Sequence, residues 1–441
     1  MTEDLPAPPA RIERIEVKGL FGLYDHAIDL KLADRVTILH GPNGVGKTVL
    51  FRLLRALLAG ALQEIAQFPF TSFRVVFTTQ ESIEIEASVE ETPADKQRRT
   101  RGRVARHLKI RQGGAVHQTV FVKRTVFPDL ELLAGSTVAG DERGARRRLF
   151  PAVQWEFEQG PEMLPLPIDH ISAHLIEAQR MLRHVEVEEE FGEPARSQTF
   201  PSVWADALDL RGRIDASLRT YGRVTQDLDQ TFPTRLLQRT GQSVALPELK
   251  ARMAELERTR DQLQQFGLLD EHRAKPFDLS ALDTLTSAQS DVMALYIEDN
   301  QKKLSIFVDL AERIGLLLRI INSRFRNKSL QAHPQQGLVA SDHRGTGLEL
   351  KALSSGEQHQ IVLLYALLFR VRAGDLVLID EPELSLHVLW QKRFVPELLE
   401  VVKVAGIDAI VATHSPFIVG ERSDLMVALD AEIEHDEPVR A

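Results

Sequence analysis

Gly41-Pro42-Asn43-Gly44-Val45-Gly46-Lys47-Thr48 decides how the rest of this chain is read. The octet fits G-x-x-x-x-G-K-[ST], a glycine-rich loop whose backbone N–H groups cradle a polyphosphate. Its flanks fit as well. Val36-Thr37-Ile38-Leu39 is a short β-branched and apolar run, the pattern of a buried strand. Val49-Leu50-Phe51-Arg52-Leu53-Leu54-Arg55-Ala56-Leu57-Leu58 reads as a helix. A strand, a loop and a helix N-terminus in that order aim N–H donors and a positive dipole end at one point. Lys47 is placed to reach the β- and γ-phosphates, and the Thr48 hydroxyl to ligate Mg2+.

A chain of 441 residues exceeds one small core and predicts two or three subdomains. With 43% hydrophobic and 27% charged residues, its composition is that of a globular protein. The net charge of −9 argues against a uniformly basic nucleic-acid binder, while leaving room for local basic patches. There is no cysteine, which excludes disulfides and thiolate metal sites. No apolar run approaches the ~18 residues of a membrane span. The longest, Ile361 to Phe369, fits a buried helix. The acidic, proline-bearing start Thr2-Glu3-Asp4-Leu5-Pro6 is not a signal peptide, so the expectation is a cytoplasmic protein without a membrane partner.

Outward from the loop, residues 1–10 read as a disordered tail. Arg11 to Lys18 alternates like a strand, Gly19-Leu20-Phe21-Gly22 turns, and His26 to Leu30 forms a second strand. Phe73 to Phe77 and Ile83 to Ala87 predict an antiparallel hairpin. A basic run follows: Lys96, Arg98, Arg99, Arg101, Arg103, Arg106, Lys109 and Arg111, with a second cluster at Arg143, Arg146, Arg147 and Arg148. It is either a solvated loop or a surface for DNA phosphates. Few aromatics interleave it, so base stacking is not expected. An apolar run over 168–182 includes Gln179.

From 203 to 328 the character is helical. Leu249, Leu256 and Leu263 recur at heptad spacing with Met253 between them, and Pro247 suits a helix start. Gly267 and Pro276 mark a break. A second stretch puts Leu304, Phe307, Val308, Ala311, Ile314 and Leu318 on one face. Two helices of about 30 residues would each extend about 45 Å, as a compact helical subdomain or as a short antiparallel coiled-coil arm. Short strands at 337–341 and 348–350 flank a turn at Gly345.

Four further features follow in order. Leu353-Ser354-Ser355-Gly356-Glu357-Gln358 offers hydroxyl and N–H groups at a helix start, suited to an anion. Leu376-Val377-Leu378-Ile379-Asp380-Glu381 is a buried strand ending in two carboxylates, at the edge where open α/β sheets bind ligands. Asp380 suits Mg2+, alongside Thr48, and Glu381 suits an attacking water. Pro382-Glu383-Leu384-Ser385-Leu386-His387 comes next. Ala409-Ile410-Val411-Ala412-Thr413-His414-Ser415-Pro416 is another buried strand, whose His414 could contact the γ-phosphate or the water.

In combination these segments resemble the ATP-binding-cassette ATPases of the SMC, RecF and OLD type. GPNGVGKT is similar to their Walker A, LSSGEQ to their signature, LVLIDEPE to their Walker B and ATHSP to their switch-histidine segment. The resemblance covers roughly residues 11–60, 168–182 and 337–425. It implies an α/β fold: an ATPase head with a mixed sheet, a phosphate loop and an antiparallel N-terminal β subdomain. The head would be split into 11–202 and 329–430 around a helical or coiled-coil insert at 203–328, with an acidic tail at 431–441. It implies Mg2+ and ATP held by Asn43, Gly44, Gly46, Lys47, Thr48, Val49 and Gln179, the metal by Thr48, Asp380 and Gln179. Glu381 and His414 would be catalytic. Ser354, Ser355, Gly356 and Glu357 would close on the γ-phosphate of a second copy in a head-to-head dimer. That would explain a serine–glycine cap with no anion of its own.

More narrowly, LFGLYD, IEAQR and DEPELSLH resemble bacterial ATPases that include subunits of antiphage defence systems of the Septu and retron-associated type. That implies a switch controlling a separately encoded nuclease. The alternative is a DNA-repair or maintenance ATPase of RecF or SMC type that binds DNA directly. Two departures stand out: Ser355 replaces a glycine of the transporter signature, and His387 replaces the usual aspartate of the D-loop. No acidic nuclease cluster follows Arg422, so a nuclease is expected on another chain.

Overall fold

In the strand Ile12–Leu20, Ile15, Val17 and Leu20 turn to one side and are buried, while Arg14 and Glu16 pair with each other on the other side at 2.7 Å. This alternation repeats through Ser72–Phe77, so both strands present an apolar face to one core. The computed structural model describes residues 10–90, 103–127, 152–159, 171–177, 182–186, 197–238, 244–269, 279–386 and 388–429. The chain divides into two units. One comprises Met1–Ala178, Arg372–Leu384 and Gly406–Ala441; the other comprises Gln179–Val371 and Ser385–Ala405.

The first unit holds two sheets. A seven-stranded antiparallel sheet runs in the order Tyr24–Asp29, Ile12–Leu20, Ser72–Phe77, Ser82–Glu90, Arg103–Gln112, Ala115–Phe127, Ala152–Gln159. The expected hairpin is its Ser72–Phe77 and Ser82–Glu90 pair. The basic run ends on the Arg103–Gln112 strand, which is ordered sheet and not a solvated loop there. Lys109 lies opposite Glu86 and Arg111 opposite Glu84, with Arg111 3.2 Å from Glu86. Lys96 to Arg101 and the second basic cluster lie outside the described residues.

A five-stranded parallel sheet runs in the order Met426–Ala428, Val36–His40, Asp408–Thr413, Leu376–Asp380, Ala173–Glu177. Its central strands are nearly all apolar because both faces are covered. The helix Lys47–Leu58 shares one core with both sheets: Phe51, Leu54 and Leu57 join Val17, Phe73, Leu378 and Ile410. Burying a side chain the size of Phe51 contributes about 2–3 kcal/mol. At the edge, Arg11 donates two hydrogen bonds to Asp408, at 2.6 and 2.8 Å.

The second unit is mainly helical. Its longest helix, Ser202–Gln238, has 37 residues, about 55 Å. Leu246–Gln265 carries Pro247 in its first turn and buries Leu249, Met253, Leu256 and Leu263, as the heptad spacing predicts. The second apolar stretch is two helices, Ser287–Leu304 and Val308–Arg324, joined by a 3-10 turn over Ser305–Phe307. Leu304, Phe307, Ala311, Ile314 and Leu318 are buried as their spacing predicts, and Val308, just after the turn, is the one that departs, at 51% exposed. Ser202–Gln238 runs antiparallel to this stretch: Arg235 pairs with Asp299, Asp229 with Lys303, and Tyr221 packs on Phe307. The strands Lys328–His333, Gly337–Asp342 and Gly347–Leu348 form an antiparallel sheet.

The helix Ser355–Tyr365 continues into a π-helical turn, Ala366–Arg370. That turn is anchored to Ser202–Gln238 in three ways. Asp206, fully buried, pairs with Arg370; Tyr365 donates to Asp209 at 2.6 Å; and Arg213 lies over the Phe369 ring. Removing one partner of a buried pair strands the other charge. Asp206→Ala is therefore expected to destabilise the chain by about 3–5 kcal/mol in urea unfolding. A loss below about 1 kcal/mol would show that solvent reaches Arg370.

Candidate functional site

The parallel register builds the site. Asp380 lies opposite Ala412 and Thr413 opposite His40, so three strands end together although their residues are far apart in the chain. The loop Gly41 to Gly46 leaves from one of these ends and the carboxylates from another. Thr48 Oγ1 donates to Asp380 Oδ2 at 2.7 Å, joining positions 332 residues apart. A hydroxyl and a carboxylate oxygen side by side are hard donors of the kind that would hold Mg2+. Among the described residues no group of three or more His, Cys, Asp and Glu side chains forms an all-protein metal cage. A Mg2+ site that relies on substrate phosphates does not need one.

The loop's shape follows from its glycines. Gly46, with φ +99°, caps the helix Lys47–Leu58, and a Cβ there would meet Leu20 at 2.4 Å. Both the left-handed backbone and the close approach demand glycine. His26, buried on the strand Tyr24–Asp29, places Nε2 2.9 Å from the Val45 carbonyl and braces the loop from behind. The sequence reading missed His26, and its alternating strand context offered no signal. Asn43 and Gly44 are exposed, whereas Thr48 and Val49 are half-buried. Lys47 is 6% exposed, and its Nζ donates to the carbonyls of Gly41 at 2.7 Å and Pro42 at 3.1 Å. Burial pulls the ammonium below the ordinary lysine range, opposed by the nearby charges of Glu381, Asp380 and Glu383.

Glu381 and His414 are brought together, with His414 Nδ1 3.7 Å from Glu381 Oε1. Glu381 has φ +48°, a left-handed conformation that is strained for a side-chain-bearing residue. Its N–H donates to the Ala412 carbonyl at 2.9 Å, which holds it there. Glu383, given no role by the sequence reading, also belongs here: it accepts from the Thr413 hydroxyl at 2.8 Å. Gln179 and His387 lie outside the described residues; the strand that leads toward Gln179 ends at Glu177.

Ser354, Ser355, Gly356 and Glu357 belong to the other unit and start the helix Ser355–Tyr365. The expectation that this cap has no anion of its own is wrong. Glu357 supplies one in a reciprocal capping box: it accepts from the Ser354 N–H at 2.7 Å and from the Ser354 hydroxyl at 2.9 Å. Lys328 Nζ reaches the same carboxylate at 2.9 Å. Gly356 has an ordinary helical φ, and a Cβ on it would meet nothing within 4 Å. Nothing within the described residues requires glycine there, although glycine in a helix costs about 1 kcal/mol against alanine.

A family model described as "AAA domain, putative AbiEii toxin, Type IV TA system" matches residues 237–420. No curated protein matches the chain. Among solved structures, the Smc head domain with an extended coiled coil bound to the C-terminal domain of ScpA, from Pyrococcus furiosus, is 13% identical with a TM-score of 0.38. That alignment covers 96% of this chain and 94% of the other. The SMC head domain from Thermotoga maritima is 13% identical with a TM-score of 0.34, covering 95% and 94%. At such scores the likeness identifies neither substrate nor partner.

Burial pushes the Glu357 carboxyl up, but hydrogen bonds from Lys328 and Ser354 outweigh it and hold the group below the usual carboxylate range. A depressed carboxylate contributes stability above its unfolded value of about 4.3, and that stability is lost as pH falls through the folded value. Glu357→Gln is therefore expected to flatten the acid limb of the stability curve below about pH 4.3, measured by urea unfolding. An unchanged limb would show that the cap does not depend on the charge.

Proposed function

We propose that the chain is an ATP-hydrolysing switch in which one copy's nucleotide is closed over by Ser354 to Glu357 of a second copy. The observation that carries this reading is the Thr48–Asp380 hydrogen bond beside the buried Lys47, which joins loop and carboxylate into one Mg2+–polyphosphate site. Lys47 and the loop N–H groups bind the phosphates, and Thr48 and Asp380 hold the metal, which supplies charge neutralisation at the phosphates. Glu381 orients the attacking water and His414 assists. Gly356, with open space where a Cβ would point, suits a phosphate arriving from another molecule. The γ-phosphate then contributes contacts to the closed arrangement only, which makes hydrolysis a release step.

The closed state acts on a partner. DNA bound directly is the output implied by the RecF and SMC resemblance. A separately encoded nuclease in antiphage defence is the output implied by the narrower one. Arg111 is paired with Glu86, and Lys109 lies opposite the same glutamate, which lowers the net positive charge this strand offers to DNA phosphates.

Lys47→Ala is expected to abolish nucleotide binding. Glu381→Gln should bind ATP and accumulate as a dimer by native mass, with hydrolysis reduced by at least about 100-fold. Ser354→Arg should bind nucleotide yet remain monomeric and inactive. Parental turnover by Glu381→Gln removes it as the base, and full activity of Ser354→Arg removes the composite site. Salt-sensitive DNA binding by the chain alone supports the DNA output; its absence, with a nuclease copurifying, supports the defence output.

A further inference from the structure

Glu383 follows the strand Leu376–Asp380, and its side chain is only 6% exposed. Bringing a carboxylate out of water is costly unless donors surround it. One oxygen, Oε1, collects three contacts from the end of the neighbouring strand. The Thr413 hydroxyl donates at 2.8 Å, the His414 N–H donates at 3.0 Å, and the His414 ring nitrogen Nδ1 stands 3.3 Å away. Thr413 itself is fully buried, and its hydroxyl oxygen accepts from the Ser415 N–H at 3.0 Å. Capping this strand end requires only the first two contacts. The third engages a side chain that is 44% exposed and carries the chemistry.

In an imidazole, the hydrogen bond made by one nitrogen decides what the other can do. Two carboxylates stand on the Nδ1 edge, Glu383 Oε1 at 3.3 Å and Glu381 Oε1 at 3.7 Å. Glu383 is the more buried of the two and is tied to the backbone of His414 itself. We propose that Glu383 is a positioning residue for hydrolysis: it pins the His414 ring with the proton on Nδ1 and leaves Nε2 as the atom offered to the γ-phosphate and the attacking water. This rests on the ATPase reading above and assigns a role to a carboxylate outside the Walker pair. Glu381 is then free to orient the water, because the ring is held by its neighbour.

Two measurements on the full chain test it. The first is the 15N spectrum of the histidine rings in the resting protein, with the His414 signals identified by their loss in His414→Ala. The expected result is a single Nδ1-protonated form, lost in Glu383→Ala. The second is ATP turnover across the double-mutant cycle. Glu383→Ala should lower kcat by about 10-fold or more, less than the roughly 10²- to 10⁴-fold that a proton-transferring side chain itself contributes. KM for ATP should stay within about threefold, and the same substitution in His414→Ala should cost nothing further. Glu383→Gln, which keeps an acceptor oxygen for Thr413 and the backbone, should recover most of the rate and controls for folding. Equal losses in both backgrounds, or ring spectra that Glu383→Ala leaves unchanged, overturn the role of Glu383 alone. A parent chain without ATPase activity overturns the hydrolytic reading and this role with it.

Discussion

The hydrogen bond from Thr48 to Asp380 depends on register, and so does everything around it. Parallel strands in a sheet must end at one edge to form a site. Here Val36–His40, Asp408–Thr413 and Leu376–Asp380 are aligned so that His40, Thr413 and Asp380 leave the sheet together. A slip of one residue would turn Asp380 into the core and an isoleucine or a glutamate toward the phosphate loop. That slip is opposed because it would take the Asp380 carboxylate out of water and away from Thr48. The core therefore does more than stabilise the first unit: it sets the distance between the loop and the carboxylates.

Charge of both signs is gathered around that edge. Lys47 is buried, which disfavours its charged form, and three carboxylates act in the opposite direction. The result is a cation already desolvated where phosphates would bind. Glu381 in a left-handed conformation and Glu383 beneath His414 show that the turn after the strand is shaped around these side chains. Strain of this kind persists where the surroundings hold it in place, here through the Glu381 N–H bond to Ala412.

The second unit holds the helix Ser355–Tyr365 by different means. That helix begins with a satisfied capping box and ends in a π-helical turn held by Asp206, Asp209 and Arg213 of the longest helix. The heptad positions Leu249, Met253, Leu256 and Leu263 behaved as their spacing predicts. In the second apolar stretch Val308 alone departs from its expected face, at a 3-10 turn that a period count does not show, while Leu304, Phe307, Ala311, Ile314 and Leu318 are buried as expected.

By itself the sequence determined the local chemistry: a strand, a glycine loop and a helix at Val36 to Leu58, buried strands ending in Asp380–Glu381 and in Thr413–His414, and a capped helix after Ser354. Those features are encoded by neighbours along the chain, through backbone freedom at Gly46, β-branched runs and capping side chains. Tertiary structure alone decided which ends meet. It placed Thr48 on Asp380, put His26 behind Val45 and gave Glu383 to His414. Each of these is a contact between segments whose separation no local pattern records, set by strand register and by the need of a buried polar group for a partner.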